Sequence, residues 1–132
     1  MSADPLFIVL ASPEHEKVQL AAMMASVAAV SERPTQLFVS MAAIAVFEKG
    51  LSTEARYKGG AFSAKMLEKG APDAMELFTQ GKMLGDLRII ACSMALAMQD
   101  WSLDDLEDGL FDEAGGLTKF LSDAEAGELV TL

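Results

Sequence analysis

The chain has 132 residues, 52% of them hydrophobic, and sets 20 acidic side chains against 10 basic ones, for a formal net charge of −10 at pH 7. Such a chain lacks the clustered Lys and Arg that grip nucleic-acid phosphates or an anionic membrane surface, and it is too hydrophobic to stay disordered. A single cysteine and a single histidine allow neither an internal disulfide nor the four N/S ligands of a structural zinc site.

The length suits one domain over residues 1–132, burying roughly two-thirds of the surface that the unfolded chain exposes. The run Leu6-Phe7-Ile8-Val9-Leu10-Ala11 is short, apolar and unalternated, as a strand buried on both faces of a parallel sheet reads. With Asp4 before it and Ser12-Pro13-Glu14 after it, it does not read as a signal peptide. Ser12 is placed to cap a helix with Pro13 at its first position and Glu14 and Glu16 in its first turn. That helix should run to about Ser31, with Leu20, Met23, Met24, Val27 and Val30 as its inner positions, before Arg33-Pro34 stops it. The apolar stretch Leu20 to Val30 falls short of the ~20 residues that span a bilayer, so a cytoplasmic protein is expected.

Gln36 to Ser40 reads as a second buried strand, followed by a short apolar helix from Met41 to Lys49 that Gly50 closes. Residues 51–72 break the rhythm: they are polar, hold Arg56, Lys58, Lys65 and Lys69, and leave room for one short helix around Ser63 to Lys69. Asp73 with Glu76 opens a helix that should end at Gly85, and Leu87 to Ala91 is the third strand. A short helix over Met94 to Met98, a turn from Ser102 to Asp105, a helix from Leu117 to about Ala126 after Gly115-Gly116, and a final strand over Glu128 to Leu132 complete the order. The alternation predicts a flavodoxin-like three-layer α/β fold with a mostly parallel sheet of four to five strands.

In open parallel sheets, ligands and reactive groups gather outside the carboxyl ends of the strands. The strand ends here are Ala11-Ser12, Ser40-Met41 and Ala91-Cys92, and the only cysteine stands on one of them. Between a strand end and a helix start, a thiolate meets the positive end of the helix and free backbone N–H groups, and Ser93 adds a hydroxyl. A free cysteine flanked by Ile89-Ile90-Ala91 and Met94-Ala95-Leu96 also reads as core packing, and position alone leaves the two readings even. His15 sits at the same edge, where a Cys–His pair would activate the thiol, although a helix's first turn disfavours imidazolium. Met94 and Met98, one turn apart, would suit a soft metal, but methionines at helical spacing are more often packing, and neither a metal nor an organic cofactor is expected.

The run Ile89-Ile90-Ala91-Cys92-Ser93-Met94-Ala95-Leu96-Ala97-Met98, then Leu103-Asp104-Asp105-Leu106 and Gly116-Leu117-Thr118-Lys119-Phe120-Leu121, resembles the DsrE/DsrF-like family of small sulfur-handling proteins. Within that family it is most similar to the branch labelled peroxiredoxin-like. The resemblance runs through most of the chain, is specific around Cys92, and departs from the branch at Ser40-Met41-Ala42-Ala43-Ile44, where an aromatic-rich loop is common. It implies a homo-oligomer, trimeric or hexameric, whose Cys92 holds sulfane sulfur as a persulfide and exchanges it with small sulfur-carrier or rhodanese-type proteins. Ser12, His15, Ser40, Met41, Ser93 and Met94 would line the site. A two-cysteine peroxidase cycle needs a resolving thiol, which this chain lacks.

The alternative is a non-catalytic oligomeric or small-ligand-binding module with Cys92 as packing. Oligomerisation is expected from the apolar helix surface, Met41 to Phe47 included. The basic residues of 51–72 are suited to attract an anion such as thiosulfate or a partner's acidic face, although scattered lysines on a surface loop are more often just solvated. Ten acids stand against Lys119 in residues 100–132, so the negative charge concentrates downstream of Cys92, as a solvated face or as a docking surface for a basic partner.

Overall fold

The computed structural model describes residues 4–132. Five strands, β1 (Leu6–Leu10), β2 (Thr35–Val39), β3 (Leu87–Cys92), β4 (Glu113–Gly115) and β5 (Glu128–Thr131), form one sheet in the order β4-β3-β2-β1-β5. Every pairing is parallel. The central strands β1, β2 and β3 are the three apolar runs of the sequence, and a parallel sheet covered on both faces is where unalternated runs belong.

Chain order decides which face each helix covers. From β1 through β4 the chain steps in one direction across the sheet, then returns from β4 to lie beside β1 as β5. Right-handed crossovers therefore place α1 (His15–Val30) and α4 (Ala74–Leu84) on one face and α6 (Leu117–Ala124) on the other. Gly81 of α4 lies against Leu87 of β3 and Ser26 of α1, whereas Phe120 of α6 lies on Phe7 and Phe38, with ring centroids 5.6 and 5.1 Å away. This is a flavodoxin-like three-layer α/β fold.

The inner face of α1 differs from the expected one. Val18, Ala21, Ala22, Ala25 and Ala29 are buried, while Leu20, Met23, Val27 and Val30 are exposed and Met24 is half-buried. Close approach explains the choice: a Cβ on Gly81 would lie 3.3 Å from the Ser26 backbone, and one on Gly85 would collide with the Ala29 carbonyl. Two helices this close leave room only for alanine-sized side chains between them. The N-terminus also starts later than expected. Glu14 holds the cap position, and Ser12 instead accepts a hydrogen bond from the Glu14 N–H at 3.1 Å.

Met41–Phe47 forms a 3₁₀ helix whose Ala43, Ile44, Val46 and Phe47 are buried within the subunit, which leaves Met41 and Ala42 as its exposed part. Residues 51–72 hold two helices rather than one, α2 (Thr53–Arg56) and α3 (Ala61–Glu68). Arg56 anchors them from inside. Its guanidinium donates to the carbonyls of Val46, Glu48 and Leu51 and to the Glu107 carboxylate. It is thereby unavailable to an anionic substrate.

The acids of the last quarter are largely engaged. Glu107, Asp108, Asp112, Glu113, Asp123 and Glu128 pair with Arg56, Lys49, Lys82, Arg88, Lys119 and Arg33, and these are the ion pairs among the described residues. Asp112 does more than pair: its carboxylate also accepts the Ile89 N–H at 2.7 Å, tying the segment before β4 to the start of β3. Six of the ten acids after residue 99 are thus balanced by a cation of the same chain.

Candidate functional site

Cys92 ends β3 and caps α5 (Ser93–Gln99). Side chains alternate along a strand, so Cys92 follows Ile90 onto the α6 face of the sheet. The chain leaving β3 and the chain leaving β4 run to opposite faces, and Cys92 pairs with Gly115 at that divergence, the position where open α/β sheets bind ligands. Cys92 is 6% exposed. Ser93 donates its hydroxyl to the Gly115 carbonyl at 3.1 Å, stitching the two strand ends together.

Beside the thiol's helix lies a hollow of 230 Å³ lined by Met41, Ala42, Met94, Ala95, Met98 and Gln99. Met41 enters it with a φ of 51°, a left-handed backbone that costs a non-glycine residue about 1–3 kcal/mol and concentrates at functional positions. Ser40, before it, is buried. Of the residues expected to line the site, Met41 and Met94 thus share a hollow on the α5 side of Cys92, and Ser93 sits at the strand junction.

Ser12 spends its hydroxyl on the Glu14 N–H, and His15 belongs elsewhere. His15 lies at the start of α1, on the face opposite Cys92, and is 3% exposed. Its Nδ1 is 2.6 Å from the Ser63 hydroxyl of α3, and its ring stacks on Tyr57. Tyr57 in turn donates its phenol to Asp73, the cap of α4, at 2.7 Å. Burial pushes the His15 imidazole below its ordinary value, against the pull of the Asp73 charge. Burial, reinforced by the bond to Asp73, pushes the Tyr57 phenol well above its ordinary value. Burial thus favours the uncharged form of both rings.

These groups open onto a cleft of 450 Å³ whose wall includes His15, Gln19, Arg56, Tyr57, Asp73 and Glu76. The sequence offered no pattern for it. Asp73 reads only as a helix cap and Tyr57 as part of a loop, although the one tyrosine and the one histidine turn out to be stacked.

Fold and strand-end site together define a parallel α/β protein of flavodoxin-like architecture. Among solved structures, a protein of unknown function, MTH1491 from Methanobacterium thermoautotrophicum, is similar with a TM-score of 0.64 at 13% sequence identity, over 98% of this chain and 99% of that one. No family model matches the chain, and no curated protein matches it. Among the described residues, no helix is long and apolar enough to cross a membrane.

Proposed function

We propose that this protein is a cytoplasmic sulfur carrier or sulfurtransferase component that holds sulfane sulfur on Cys92. The observation that carries the reading is the position of Cys92 at the carboxyl end of β3, where the connections leaving β3 and β4 diverge. The resemblance of the surrounding motif to the DsrE/DsrF-like family points the same way. The Cys92 thiolate attacks the outer sulfur of a donor persulfide; the donor S–S bond breaks, a Cys92 S–S bond forms, and the donor leaves as a thiolate. Transfer onward repeats the exchange, with an acceptor thiolate as the attacking group. With one cysteine per chain, the acceptor belongs to another protein, of the small sulfur-carrier or rhodanese type.

The apolar face formed by Leu20, Met23, Val27 and Val30 of α1 supports a homo-oligomer, because monomers rarely leave so continuous a stripe in water. The burial of Cys92 favours one rival reading, a non-catalytic oligomeric module in which the thiol is packing. Cyanide separates the two, since it releases persulfide sulfur as thiocyanate. After incubation with a persulfide donor and removal of the excess, the wild type should yield thiocyanate in proportion to protein and Cys92→Ser none. Equal yields from both would leave the packing reading.

A further inference from the structure

The cleft beside His15 is separate from Cys92, which does not line it. Its 450 Å³ lies within the roughly 300–1,000 Å³ of small-molecule sites. Its polar wall is short of donors. Arg56, the cation of the wall, spends its guanidinium on three carbonyls and Glu107, and the Tyr57 hydroxyl is spent on Asp73.

Acceptors, in contrast, are left over. Gln19 is 6% exposed and donates its amide nitrogen to the Pro72 carbonyl at 2.9 Å. Its side-chain oxygen has the His15 ring beside it and can accept two hydrogen bonds, so a lone pair remains even when the imidazole is one donor. Asp73 and Glu76 add two carboxylates with no cation paired to them among the described residues, whereas Glu107 is balanced by Arg56. Leu51, Met66, Leu67 and Met75 supply apolar wall between these groups.

We propose that this cleft binds a small aliphatic amine, whose ammonium group donates to the Gln19 carbonyl oxygen and is balanced by Glu76 and Asp73, with its hydrocarbon body against Met66, Leu67 and Met75. An anion of the same size meets two carboxylates with no paired cation, and the wall's one cation, Arg56, is already spent. Burial of the imidazole disfavours an opposing charge there.

The test uses the full chain and two probes of equal length and opposite charge, 1,5-diaminopentane and glutarate. Binding is followed by calorimetry and by the ring resonances of His15, which is the single histidine and so reports on the cleft alone. The diamine should bind saturably and shift the His15 resonances, and glutarate should do neither. Glu76→Gln, an exposed first-turn substitution, should weaken the diamine about threefold or more. Non-saturating binding, unchanged His15 resonances, an equal response to glutarate, or Glu76→Gln binding like wild type would each overturn the proposal.

Discussion

Tyr57 lies flat against His15, with ring centroids 4.3 Å apart and planes 15° from parallel. Each ring is held from a different helix, His15 by Ser63 of α3 and Tyr57 by Asp73 at the cap of α4. This pair fixes residues 51–72 to the start of α1 and makes the fold sensitive to pH. Because burial lowers the folded imidazole below 6.5, the unfolded chain takes up a proton first as pH falls. The stability present above pH 6.5 is therefore lost progressively as the pH drops from there toward the folded value. Urea unfolding at pH 7.5 and 5.5 should show the loss, and His15→Gln should flatten it.

Arg56 and Glu107 make a different prediction. Replacing Arg56 with leucine strands three backbone carbonyls and one carboxylate, and should cost about 3–5 kcal/mol in denaturant unfolding. Glu107→Gln keeps an acceptor for the guanidinium and should cost about 1 kcal/mol.

Phe120 is the buried aromatic that α6 sets on Phe7 and Phe38. Phe120→Ala should destabilise the protein by about 3–4 kcal/mol, read as a lower urea midpoint with the slope retained.

How far such features could be read from the sequence depended on whether they are local. Residues 6–10, 37–39 and 89–92 are apolar runs inside β1, β2 and β3, and burial on both sheet faces demands that composition. Cys92 at the third strand end was legible for the same reason. β4 was not: Glu113-Ala114-Gly115 carries no hydrophobic pattern and is a strand only because β3 offers it an edge. On α1 the large apolar residues suggested an inner face, but contact with Gly81 and Gly85 selects the alanines, a tertiary constraint that periodicity does not carry. The His15 cluster draws on α1, the loop after α2, α3 and the cap of α4, and no short motif spans those segments.

The outward face of α1 should form a subunit contact. Light scattering is expected to give a multiple of the 14.1 kDa chain mass, and Met23→Asp with Val27→Asp should reduce it toward one chain while leaving the helical signal intact. A wild-type mass of one chain would remove the oligomer from the account.

The central claim concerns one sulfur atom, and intact-mass spectrometry after exposure to a persulfide donor tests it most directly. The wild type should gain about 32 Da, the mass of one sulfur, reversibly by a reducing thiol, and Cys92→Ser should gain nothing. No adduct on the wild type, or the same adduct on Cys92→Ser, would contradict the assignment of Cys92 as the sulfur-carrying residue.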